Sequence, residues 1–173
     1  MARLRPSNKG DILRGQIFAL LNKKRASADM ALKVLTQCQA HVRNRMIIEE
    51  ITRKCGMTLS GFLSDEHQEF YYDLKQGRHD VGYVSKGWDD PGFRVGEIVE
   101  IPKWQIADMK EHVYALLTFC AIQGVTVTIE EKEKSIELHM DSVIYLEGLN
   151  KRVFEQVLHH LNECVGKAHE LIG

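Results

Sequence analysis

The sequence predicts an α+β fold: an N-terminal helical hairpin, an antiparallel sheet of about five strands, and two further amphipathic helices packed on that sheet. Three observations carry this reading. Apolar residues recur at three- and four-residue steps through 11–54, 103–123 and 151–172. They alternate with polar residues through 68–84 and 125–140, and the changes of period fall at Gly, Pro or Asn. A length of 173 residues allows one full core and is short for two. The predicted organisation is therefore a mobile arm over 1–9 and a single domain over 10–173, made of a basic helical hairpin (10–55) and an acidic sheet-and-helix body (56–173).

Pro6 and Gly10 bracket an N-terminal stretch without periodicity, and Asp11 opens a helix reaching Lys24, with Ile12, Ile17, Phe18, Leu20 and Leu21 on its apolar side. Lys23, Lys24 and Arg25 end that helix, where positive charge complements the helix dipole. Ser27 is the N-cap of a long helix running to about Lys54, with Ala31, Leu35, Cys38, Val42, Met46 and Ile47 or Ile51 as its buried series. So short a connection makes the two helices an antiparallel hairpin, and Gly56 closes it.

From Met57 to Ile101 the chain reads as extended. Met57–Phe62 is a short strand at most. Phe70, Tyr72 and Leu74 share one side of a strand that Gln76–Asp80 turns back into Val81–Val84. Gly87-Trp88-Asp89-Asp90-Pro91-Gly92 is a dense turn signal. The next strand, Phe93–Ile101, is expected to be irregular near Gly96 because its alternation drifts out of phase. Pro102 suits a strand-to-helix junction, and Trp104 is expected to anchor the start of the helix that follows. That helix carries Ile106, Met109, Val113, Leu116, Leu117 and Cys120 on its stripe and ends at Gly124. Val125, Val127 and Ile129 then alternate with Thr126 and Thr128. The apolar-free run Glu130–Lys134 turns the chain into Ser135–Met140, with Val143–Leu146 either extending that strand or forming another after a break at Asp141-Ser142. Asn150 caps a last helix whose stripe is Phe154, Val157, Leu158, Leu161, Cys164, Val165, Ala168, Leu171 and Ile172.

With 44% hydrophobic and 27% charged residues, the composition is that of an ordinary globular domain. No run approaches the roughly 20 apolar residues of a membrane span. Arg3 and Arg5 make the N-terminus basic, but no apolar segment follows to make a secretory signal. A cytoplasmic setting is the expectation. The four cysteines, Cys38, Cys55, Cys120 and Cys164, are dispersed and are expected to be free thiols.

Charge is nearly balanced overall, but it is divided along the chain. Met1–Cys55 holds 12 Lys/Arg against 4 Asp/Glu, and the remainder 11 against 20, so the front is near +8 and the rest near −9. Such a split serves either contact with the acidic body, in the same chain or a second copy, or an external polyanion.

Chemistry-bearing motifs are few. The phosphate-loop, dinucleotide, zinc-protease and nucleophile-elbow patterns do not occur, so no catalytic residue and no cofactor is assigned. His160 and Cys164, four apart on the last helix, are too little for a metal site, and no metal ligand set is assigned. Asp89-Asp90 and Glu130-Glu131 are paired only in sequence. For partner binding the candidates are Phe70, Tyr72, Trp88 and Arg78, where aromatic and basic residues interleave, although alternate members of a strand point to opposite faces. The basic surface candidates are Arg3, Arg5, Lys23, Lys24 and Arg25.

The stretch Val125-Thr-Val-Thr-Ile, then Ile136-Glu-Leu-His-Met, then Leu146-Glu-Gly-Leu-Asn-Lys-Arg-Val-Phe ahead of the last helix resembles the type III secretion chaperone-like fold that secretion chaperones share with the YbjN-like proteins. The likeness covers about Ser27–Ile172 and lies in element order and hydrophobic pattern. It implies a non-enzymatic protein-binding or chaperone-like module in which a protein client lies along an exposed sheet or helix face. The charge split adds the expectation of a homodimer with the N-terminal hairpin among its contacts, and Phe18, Leu21, Leu35 and Val42 as buried apolar residues. The alternative is a nucleic-acid-associated protein that uses the basic N-terminal helices.

Overall fold

The computed structural model describes residues 19, 27–63, 68–105 and 110–172. The expected arm, the body of the Asp11–Lys24 helix, the basic residues Arg3, Arg5, Lys23, Lys24 and Arg25, and Ile106 and Met109 lie outside the described residues. The chain divides into two compact units, Met1–Met46 and Ile47–Gly173. That boundary lies inside helix α1 (Ala28–Lys54), ahead of the Gly56 at which the sequence changes character.

The Ser27 hydroxyl oxygen accepts the Met30 amide at 3.2 Å and caps α1. Along the part of α1 in the first unit, Met30, Leu32, Val42 and Met46 are exposed. The buried series expected for this helix joins two faces that a 3.6-residue period separates. Of that series Cys38, Val42 and Met46 are exposed, Ala31, Leu35 and Ile47 are half-buried, and Ile51 is a core residue together with Ile48, which the expected series left out.

In the second unit α1 ends in a Schellman turn: the Met57 amide donates to the Thr52 carbonyl at 2.9 Å and the Gly56 amide to the Arg53 carbonyl at 3.1 Å. Six strands follow: β1 (Thr58–Leu63), β2 (Gln68–Gln76), β3 (His79–Gly87), β4 (Gly92–Pro102), β5 (Thr126–Glu131) and β6 (Ser135–Tyr145). They form one antiparallel sheet in the order β1-β2-β3-β4-β6-β5. The strand beyond the expected five is β1, which pairs with β2 and shifts register between Ser60 and Leu63.

β4 pairs with β6 without a shift, from Gly92 opposite Tyr145 to Pro102 opposite Ser135. The irregularity expected near Gly96 is therefore absent from this ladder. What drifts is the chemistry: Phe93, Val95, Val99 and Ile101 are buried, whereas Glu97 takes a place in that same alternating series and Ile98, on the opposite series, is exposed. Burial pushes the Glu97 carboxyl up, opposed by the charge of His169. Of the two alternatives for Val143–Leu146, the strand is extended, β6 running to Tyr145 with no break at Asp141-Ser142. Both residues stay in the ladder opposite Gly96 and Val95, and the Ser142 hydroxyl donates to the Gly124 carbonyl at 2.8 Å.

A single turn of 3₁₀ helix (Lys103–Gln105) leads to α2 (Lys110–Ile122), and a second (Leu146–Gly148) to α3 (Lys151–Ile172). α2 ends as α1 does. The Val125 amide donates to the Cys120 carbonyl at 2.9 Å across Gly124, whose φ of 72° is left-handed and favours glycine. Asn150 caps α3, its side-chain oxygen accepting the Val153 amide at 3.1 Å. Phe154, Leu158, Leu161, Cys164 and Ala168 of α3 are buried, and the helix packs on β4, β6 and α2. The same core takes in Leu116 and Cys120 of α2, Leu138, Met140 and Ile144 of β6, Phe70, Tyr72 and Leu74 of β2, Val84 of β3, and Ile48 and Ile51 of α1.

Candidate functional site: the outer face of α2 and the charged hairpin

α2 reads Lys-Glu-His-Val-Tyr-Ala-Leu-Leu-Thr-Phe-Cys-Ala-Ile, with no charged residue after His112. It buries a narrow strip, Leu116 and Cys120, with Val113 and Phe119 half-buried beside them. Leu117, expected on that strip, is exposed instead, next to Tyr114 (75% exposed), Thr118, Ala121 and Ile122 (79%). Trp104, expected to anchor the start of the helix, is 79% exposed in the preceding 3₁₀ turn. A helix that is apolar on all sides belongs in an interior, because an uncovered apolar side forfeits about 25 cal/mol per Å².

The candidates named from sequence are dispersed. Phe70 and Tyr72 are core residues, with ring centroids 5.6 Å apart, and their burial removes them from the surface. Arg78 is exposed in the β2–β3 turn, and Trp88 is 39% exposed in the turn before β4. The member of the aromatic run that turns away from the core series is Tyr71, which stacks on Tyr83 with ring centroids 5.3 Å apart. Next to Tyr83 on the sheet, the Arg94 guanidinium pairs with Asp141 at 3.2 Å and with Asp90 at 3.6 Å. Burial pushes the Asp141 carboxyl up, with Arg94 opposing, and burial with the nearby Asp141 charge pushes the Tyr83 phenol to about 12. Among the described residues no constellation of nucleophile, base and orienting group is apparent on this face.

Of the metal candidates named from sequence, Cys164 is fully buried and its thiol is pushed up to about 12, chiefly by burial and then by contact with Cys120. Among the described residues the imidazole and carboxylates that converge are instead on the β5–β6 hairpin. Glu130 stands opposite Glu137, and His139 lies two residues further along β6 on the same side. The His139 Nε2 is 3.2 Å from a Glu137 oxygen and 3.3 Å from a Glu130 oxygen. Lys132 lies against Glu130 and 3.5 Å from Glu137. Its hydrogen bond holds the Glu130 carboxyl below the usual carboxylate range. Sequence reading missed this group because its members lie seven and nine residues apart. The signal was the hairpin itself, since placing its turn at Lys132–Lys134 sets Glu130 against Glu137.

The described residues define an α+β protein with a six-stranded antiparallel sheet. No family model matches the chain, and no curated protein does. Among solved structures it is similar to an uncharacterized protein from Methanothermobacter thermautotrophicus, with a TM-score of 0.54 and 14% identity, over 75% of this chain and 99% of that one. At that identity the likeness shows a shared fold. No helix of the described residues is long and apolar enough to cross a membrane.

Proposed function

We propose that the protein is a non-enzymatic protein-binding module that forms a homodimer, with the outer face of α2 as the contact. The observation that carries this reading is the uncharged, exposed set Tyr114, Leu117 and Ile122 on α2. A two-fold contact sets a patch against its own copy, so an uncharged apolar patch is self-complementary where a charged one repels itself. Thirteen residues make a helix about 20 Å long, and one such face supplies less than the roughly 800 Å² per partner of a standard interface. The dimer is accordingly of moderate affinity and concentration-dependent. The free thiols Cys38, Cys55, Cys120 and Cys164 agree with a cytoplasmic setting, and a chaperone-like role toward a protein client is the wider reading of the same surface.

The double variant Tyr114→Glu, Ile122→Glu tests this. Charge on this set shifts the sedimentation profile to a single chain while the thermal melt stays that of the parent. A double variant that retains the parent's assembly contradicts the assignment of the contact.

The division of charge, 12 Lys/Arg against 4 Asp/Glu up to Cys55, supports a second reading, association with nucleic acid through the basic N-terminal helices. Polyanion binding that falls steeply with salt would favour it, and no binding at low salt would remove it.

A further inference from the structure

An antiparallel pair that sets two like charges directly opposite each other is destabilised unless a counter-charge lies between them. β5 and β6 do this with Glu130 and Glu137. Both carboxylates turn toward the Nε2 of His139, at 3.3 and 3.2 Å. A ring nitrogen holds at most one proton and directs it along one line, so it serves two carboxylate oxygens at such distances only by sharing. A cation bound to all three atoms has no such restriction. Bond lengths of about 2.0–2.2 Å from zinc to histidine nitrogen and carboxylate oxygen put neighbouring tetrahedral donors roughly 3.3–3.5 Å apart. The two distances from His139 are within a few tenths of an ångström of that edge, and the three donor atoms all lie within 4.8 Å of one another.

We infer that Glu130, Glu137 and His139 form a binding site for a divalent transition-metal ion of the zinc type, with water completing the coordination. The donor set is mixed, two carboxylate oxygens and one imidazole nitrogen, which suits zinc better than calcium or magnesium. Two hydrogen-bonded strands hold it, so the donors are fixed by register rather than by a loop. Glu137 and His139 are part-buried, which limits the freedom lost on binding. Lys132 is the competitor: its ammonium supplies the positive charge between the carboxylates, and the exposed side chain has to swing away for the ion to enter. Glu137 and His139 belong to the series of β6 that alternates with the core residues Leu138 and Met140.

The test is titration of the chelator-treated full chain with Zn²⁺ by calorimetry, and with Co²⁺ by its visible absorption, which is intense for tetrahedral coordination. One ion per chain is expected. His139→Ala and Glu137→Gln each weaken binding roughly tenfold or more with an unchanged thermal melt. Lys132→Gln, which removes the competing cation, tightens binding, whereas His159→Ala on the exposed side of α3 leaves it unchanged. Absence of a tetrahedral Co²⁺ band, or an affinity insensitive to His139→Ala, overturns the site, as does Lys132→Gln binding no more tightly than the parent.

Discussion

Tyr83 lies against Gly96. A Cβ added at residue 96 would stand 2.7 Å from the Cζ and Oη of Tyr83 and 2.6 Å from the Met140 carbonyl oxygen. The two residues are register partners on β3 and β4 and leave no room for a methyl group. Gly96→Ala must therefore displace the ring or part the strands. Overpacking of this kind costs about 1–3 kcal/mol. Urea denaturation is expected to show the midpoint falling at constant slope, and an unchanged midpoint would mean that this stretch of sheet yields freely.

Phe154 is fully buried at the start of α3. Its truncation leaves a cavity beneath the helix as well as losing apolar burial, so Phe154→Ala is expected to cost about 3–5 kcal/mol. Calorimetry should record a large drop in the melting temperature, and an unaltered melt would displace α3 from its place in the core.

Asn150 provides a smaller lever on the same helix. Asn150→Ala removes the acceptor of the Val153 amide and is expected to cost about 1 kcal/mol. Asn150→Asp keeps the acceptor and should retain most of the stability, a contrast that separates capping from packing.

Alkaline pH should destabilise the protein. Burial pushes the Cys164 thiol from 9.0 to about 12 and the Tyr83 phenol from 10.0 to about 12. Unfolded, both ionise near their ordinary values. Above pH 9 the unfolded chain therefore binds fewer protons than the folded one, and stability, fully present below that pH, is lost as pH rises toward about 12. Urea midpoints should decline from pH 9 upward, and a midpoint flat over that range would contradict the burial of these groups.

Thiol reactivity should follow exposure. Cys38 is exposed and Cys120 and Cys164 are buried with raised pKa values, so a thiol reagent at pH 8 should label Cys38 readily and the buried pair only in denaturant. Alkylated, unreduced protein should show four free thiols, and one intramolecular disulfide would contradict this.

The parts of the fold legible in the sequence are those where one face alone is buried. The stripe Phe154, Leu158, Leu161, Cys164, Ala168 is written in the spacing because only one side of α3 meets the core. The β5–β6 hairpin is legible because its period is two. α2 defeats that logic. Apolar residues surround it, so spacing does not tell Leu116, which is buried, from Leu117, which is not. α1 defeats it differently, with one apolar series in the core and another exposed. Glu97 hid the phase of β4 by placing a carboxylate in the core-facing series. At the candidate sites, sequence neighbours such as Phe70 and Tyr72 proved to be core, and the groups that do meet, Glu130 with His139 and Arg94 with Asp141, are brought together only by strand register.

Most directly at issue is whether the set Tyr114, Leu117, Ile122 is covered by a second copy. Light scattering on the intact chain across the micromolar range measures this. A mass rising to that of two chains, and held back to one by Tyr114→Glu with Ile122→Glu, is the expected result. A mass of one chain at every concentration would contradict the dimer and leave the outer face of α2 to a different partner.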